Sequence, residues 1–143
     1  MQERDNILRI LKETKAAIDN GNSLKLKSLS DQTINTASLT HDSDNIAVAV
    51  FVYSLSKIAE RENYKQLPGW SKFYQIVNKS LDKSIEDVKK GNDVSFRKNF
   101  QFIRNSIQNF SGELRKNVED VFQKASINKA SKIYEHGDRK SVV

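Results

Sequence analysis

The sequence contains no cysteine, one proline and five glycines. Without cysteine there is no disulfide, no thiolate metal site and no cysteine nucleophile, and a reducing cytoplasm is the natural compartment. Scarce proline and glycine leave little to interrupt long helices. The glycines Gly21, Gly69, Gly91, Gly112 and Gly137 are isolated, so no glycine-rich loop is present to cradle a phosphate. Long apolar runs are missing as well. The longest, Ile46 to Leu55, is about half of what a bilayer-spanning helix needs, and it includes Tyr53 and Ser54. It reads as a buried core helix, and no membrane partner is expected. The first residues, Met1 to Asp5, carry charges of both signs and lack the apolar stretch of a secretory signal, so the expected location is cytoplasmic.

What is present suits a globular chain. At 143 residues, 37% hydrophobic and 29% charged, the length fits one ordinary domain plus at most a fragment. Ile7, Leu8, Leu11 and Ile18 recur at helical spacing, with Gly21 placed for a left-handed stop. Asn22 or Ser23 can cap a second helix bearing Leu24, Leu29, Ile34 and Ala37 and ending near Thr40. Its tail, Asp31 to Ser38, is built of small polar residues of poor helix propensity, so packing must hold it. Asp42 and Asp44 offer capping oxygens and favourable charge to a third helix over Ile46 to Ala59. Its β-branched residues would also suit a strand, but no partner strand is evident, and Leu55, Ile58 and Ala59 continue at helical spacing.

Pro68-Gly69 is the sharpest break in the chain. Beyond it, Trp70, Phe73, Tyr74, Val77, Leu81, Ile85 and Val88 mark a fourth helix that ends at Gly91-Asn92. Asp93 can cap a fifth, in which Phe96, Phe100, Ile103, Ile107, Phe110 and Leu114 alternate in steps of four and three, the spacing of a bundle seam. Val118, Val121 and Phe122 extend that stripe. No internal repeat is visible. The expected fold is all-α, a helical bundle of about five helices with a long C-terminal helix and with residues 1–125 as its domain.

The net charge of +6 is unevenly placed. Residues 1–64 carry 8 Lys and Arg against 9 Asp and Glu, residues 65–104 carry 9 against 4, and residues 105–143 carry 7 against 5. The excess thus sits on the segment 65–104. There Lys72, Lys79, Lys83 and Lys90 share one helical sector, and Lys89, Arg97, Lys98 and Arg104 surround the following turn and helix. Such a face attracts phosphates, so Lys72, Lys79, Lys83, Lys90, Arg97, Lys98 and Arg104 are the candidate nucleic-acid-binding residues. An ordinary solvated face is the plainer reading of the lysines, and core packing that of Trp70, Phe73, Tyr74, Phe96 and Phe100.

Residues for catalysis are lacking. The two histidines, His41 and His136, lie far apart in sequence, and the aspartates beside His41 are explained as caps rather than metal ligands. Compact helical ribonucleases of the HEPN type require an Arg shortly before a His, yet Ile34, Asn35 and Thr36 precede His41, and Lys129, Ala130 and Ser131 precede His136. Glu86-Asp87 and Glu119-Asp120 are adjacent, and neighbours on a helix point in different directions. No catalytic residue, metal or cofactor is expected.

Asp138 to Val143 follows the helix-ending Gly137 without periodicity and matches the translation of a common sequencing adapter, GAT CGG AAG AGC GTC GTG. Residues 138–143 are therefore expected to be a non-native tail. Residues 121–137, with 29–38 and 46–61, resemble a family of uncharacterised archaeal helical proteins. In that family a C-terminal helix-turn-helix similar to small antitoxin-like regulators follows. The resemblance implies that residues 126–137 are the first helix of a truncated module whose DNA-reading helix would lie beyond Gly137. Two functions are compatible with these features: a non-enzymatic nucleic-acid-associated regulator, or a helical scaffold that pairs with itself or another protein through the seam 96–122.

Overall fold

The computed structural model describes residues 1–107 and four later positions, Lys116, Glu119, Asp120 and Gln123, with side chains described continuously to Ile103. The expectations for the seam beyond Ile107, for residues 126–137 and for the tail 138–143 lie outside the described residues. The protein is an all-α bundle. Its helices are α1 (Arg4–Asp19), α2 (Ser23–Thr40), α3 (Ser43–Ala59), α4 (Trp70–Lys90) and α5 (Asp93–Ile107), with a single 3-10 turn at Tyr64–Gln66 before α4. There is no strand among the described residues, so the β-branched run in α3 is helical.

Helix α3 is the most deeply set element. Val48 to Ser56 are buried without a break, so every face of this stretch is covered. Asp42 starts the helix, accepting hydrogen bonds from the Asn45 backbone at 3.2 Å and from its side chain at 2.7 Å. Helix α2 is its main neighbour, joined through Ile34, Ala37 and Ala49, with Ile46 at the margin. The small polar tail of α2 is held as its composition requires. Thr33, Ala37 and Ser38 are buried, and the Thr33 and Ser38 hydroxyls return hydrogen bonds to backbone carbonyls one turn back. On the side of α5, Phe51 meets Phe100 edge-on with centroids 5.3 Å apart.

The structure contains a repeat that the sequence hides. Ile7 and Val77, Leu11 and Leu81, Thr14 and Ser84, Ala17 and Asp87, Leu26 and Phe96, and Thr33 and Ile103 are all buried, and each pair is 70 residues apart. The two corners agree in detail. Gly21 and Gly91 take left-handed φ values of 63° and 71°, and each amide donates to the carbonyl three residues earlier at 3.1 Å. The Asn22 and Asn92 amides reach back to Ala17 and Asp87 at 2.8 Å. Both asparagine side chains then cap the next helix, Asn22 to Lys25 N at 3.0 Å and Asn92 to Ser95 N at 3.1 Å. The cap of α5 is thus Asn92, not Asp93. Asp93 sits in the first turn, where it receives Arg4 at 2.9 Å.

Helices α1 and α4 run antiparallel, with Arg4 beside Val88 and Asp19 beside Tyr74. Arg4 matches Tyr74 under the 70-residue offset, and Asp19 lies within one residue of the match to Val88, so each contact is close to the image of the other. The two hairpins, α1–α2 and α4–α5, therefore pack as two halves of an isologous pair carried on one chain.

Equivalent positions should respond alike. Leu11→Ala and Leu81→Ala should each lower the unfolding free energy by about 2–5 kcal/mol in urea titrations, because both side chains are almost fully enclosed. Gly91→Ala should cost about 1–2 kcal/mol from the left-handed backbone alone, since open space surrounds the added methyl.

Candidate nucleic-acid interface

The basic stretch is a surface with a definite shape. Lys72, Lys79, Lys83 and Lys90 recur along α4 at near-multiples of 3.6, forming a stripe about 27 Å long. Between α4 and α5 the surface opens into a groove of about 420 Å³ lined by Lys79, Ser80, Lys83, Ser95, Lys98, Asn99 and Phe102. Among the described residues no carboxylate lines it. Phe102 stands 55% exposed at this wall, one of the few large apolar side chains among the described residues that face solvent. It is four residues from Lys98, so the ring and that ammonium share a helix face.

The floor of the groove is held by polar contacts. The Asn99 amide donates to the Ser80 carbonyl at 2.7 Å and to the Ser84 hydroxyl. The Ser95 hydroxyl donates to Asp87 at 2.8 Å. In the other hairpin the positions of Ser80 and Asn99 are occupied by Ile10 and Leu29, both buried. A serine is smaller than an isoleucine, and the missing volume deepens the surface here.

The same comparison separates the two halves electrostatically. On the α1–α2 face, Arg9 pairs with Glu13, Glu13 with Lys25 at 3.0 Å, and Arg9 with Gln32 at 2.8 Å. Hydrogen bonds from Lys25, then Arg9, hold the Glu13 carboxyl below the usual range despite partial desolvation. Seventy residues on, Glu13 is replaced by Lys83, Gln32 by Phe102 and Lys25 by Ser95. Two cations bridged by one carboxylate in the first half correspond to an open groove of three lysines in the second.

The candidates read from the sequence divide accordingly. Lys79, Lys83 and Lys98 come together at the groove. Lys83 lies 3.9 Å from Asp87, a loose pair, and Lys79 and Lys98 have no ion-pair partner among the described residues. Lys72 is exposed at the start of α4. Lys90 pairs with Glu86 at 3.6 Å. The side chain of Arg104 lies outside the described residues. Arg97 faces elsewhere. Its guanidinium grips buried Asp44 of α3 through two hydrogen bonds, at 2.9 and 2.8 Å, and this pairing raises its pKa further. Its position is that of a clamp between α5 and α3. Asp44, expected as a capping residue, is spent on that clamp and on the Met1 ammonium at 3.5 Å.

Sequence reasoning missed Phe102. Its signal was its phase: it falls outside the Phe96–Phe100–Ile103 stripe and on the face of Lys98. An apolar recess near Ile18, Leu55, Tyr64 and Trp70 has room for about one water and offers no ligand site. Among the described residues no group of three or more His, Cys, Asp or Glu is placed to hold a metal ion, and no helix is long and apolar enough to cross a membrane.

Comparison with family models, curated proteins and solved structures returns no match. The class defined by the fold is an all-α bundle of two Gly-Asn-cornered hairpins with one basic groove.

Two measurements probe the electrostatics. Arg4 lowers the Asp93 carboxyl, with desolvation opposing it. At Asp42, desolvation is outweighed by hydrogen bonds from the Asn45 side chain and backbone and from the Gln2 backbone, so its carboxyl is lowered too. Because these folded-state pKa values lie below the unfolded ones, the stabilisation is present above about pH 4 and is lost as pH falls further. Urea midpoints should therefore drop below that pH, and Asp93→Asn should flatten the drop. At neutral pH, Arg97→Gln should lower the melting temperature while Lys98→Gln leaves it nearly unchanged, because only the first takes the two-pronged partner from a buried carboxylate, leaving it the Met1 ammonium alone.

Proposed function

We propose that this chain is a non-enzymatic, nucleic-acid-associated helical protein whose body contacts the phosphate backbone through the α4–α5 groove. The observation that carries the reading is the contrast between matched faces. Where α1–α2 presents Arg9 and Lys25 bridged by Glu13, α4–α5 presents Lys79, Lys83 and Lys98 around a cavity with no acid among the described residues of its lining. Solubility alone would not require the cations to converge on a concave surface. Phosphates entering it would meet ammonium groups from two helices, and the release of condensed counterions would favour binding. A regulatory role, with a DNA-reading module past Gly137, rests on the resemblance of residues 121–137.

The scaffold reading draws less support. The described part of its seam is already used inside the bundle: Phe96 and Ile103 are buried, and Phe100 packs on Phe51 and Phe96. Light scattering over a dilution series would test self-association directly.

Fluorescence anisotropy with labelled nucleic acid, titrated with salt, tests the proposal. Affinity should fall linearly on logarithmic axes, and Lys79→Gln/Lys83→Gln/Lys98→Gln should reduce the slope by about 2–3, one unit per lost phosphate contact. Absence of binding to either duplex or single strand at low salt would overturn it.

A further inference from the structure

We infer that the α4–α5 groove takes a single strand rather than a duplex, with Phe102 as the platform for a base and Lys79, Lys83 and Lys98 as the phosphate contacts. This inference rests on the nucleic-acid reading above and narrows it. Three features of the groove lead to it.

The first is the exposed ring. Phe102 is 55% accessible and shares the lining of the groove with all three lysines. A phenyl ring in water loses solvation free energy unless something covers it, and a base face is a flat cover. In a duplex the base faces are stacked on one another and cannot reach the ring; in a single strand they are open. Cationic groups beside an exposed aromatic are the combination that suits an unpaired strand.

The second is scale. Lys79 and Lys83 are one helical turn apart, about 6 Å along the axis, and Lys98 faces them from α5. A recess of about 420 Å³ lies within the range of small-ligand pockets, suited to a base or two with their backbone. It is not a channel for a double helix, whose shape would engage the outer lysine stripe instead.

The third concerns base preference. Two side-chain donors of the lining are turned to the protein itself, the Asn99 amide nitrogen to Ser80 and Ser84 and the Ser95 hydroxyl to Asp87. The ammonium groups and the phenyl face that make up most of the lining are indifferent to base identity. Binding should therefore tolerate sequence.

The test compares the full chain with a labelled oligothymidylate of about 20 nucleotides and with a duplex of equal length at the same low salt. The single strand should bind about tenfold more tightly or better. Phe102→Ala should weaken single-strand binding about tenfold, within the range for loss of one stacked base, while leaving the salt slope unchanged. Phe102→Trp should retain affinity, which separates stacking from any structural role, and circular dichroism of both variants should match the parent. Equal or tighter duplex binding, insensitive to Phe102→Ala, would overturn the single-strand inference and leave the nucleic-acid reading standing. Loss of binding to both forms would remove that reading as well. If polyglutamate displaced the strand at equal charge concentration, the groove would be an acidic-peptide site, and the inference would fall.

Discussion

Helix α1 lies antiparallel on α4, and the rest of the bundle hangs from that contact. Each helix carries a second one behind a left-handed glycine and a capping asparagine, so fixing α1 against α4 also places α2 and α5. Helix α3 then fills the space between them, joined to α2 by small side chains and to α5 by Phe51 and the Asp44–Arg97 clamp. The burial of α3 follows from its composition. A helix with apolar residues on all faces is stable in water only where neighbours cover each of them.

The helices themselves were legible. Apolar spacing and the punctuation at Gly21, Pro68-Gly69 and Gly91 marked the five elements, since these signals act within a few residues. Asn92 took the capping role assigned to Asp93 because the Schellman turn at Gly91 sets the phase of α5 one residue earlier. The 70-residue repeat was not legible. Leu11 and Leu81 match, as do the Gly-Asn pairs, yet most other equivalent positions differ in chemistry while keeping their burial. A hairpin conserves the pattern of faces that its packing demands, and sequence identity is a poor register of that pattern.

The site was half legible. Helical phase placed Lys72, Lys79, Lys83 and Lys90 on one side, as α4 shows. The same reasoning grouped Arg97 with them, because a partner 53 residues away in sequence is invisible until the tertiary contact forms. Phe102 went unremarked among aromatics assigned to the core. What distinguishes it is a single helical step, which turns it from the seam beside Ile103 to the face of Lys98. The groove differs from the matching face of the other half at several positions at once, with Ser80 for an isoleucine, Lys83 for a glutamate and Phe102 for a glutamine.

Gathering Lys79, Lys83 and Lys98 on one concave surface has a consequence for the empty protein. Like charges gathered on one surface repel, and the repulsion is borne by the folded state, since the unfolded chain can spread them apart. The α1–α2 half avoids this through Glu13. The α4–α5 half carries a small share of it, moderated by solvent and by Asp87 beside Lys83, above the Asn99–Ser80–Ser84 contacts that bind the two helices. Added salt, by screening these lysines from one another, relaxes the fold. A counterion gathered at the groove would relieve the same repulsion, so the stability of this half is tied to the ionic composition of its surroundings.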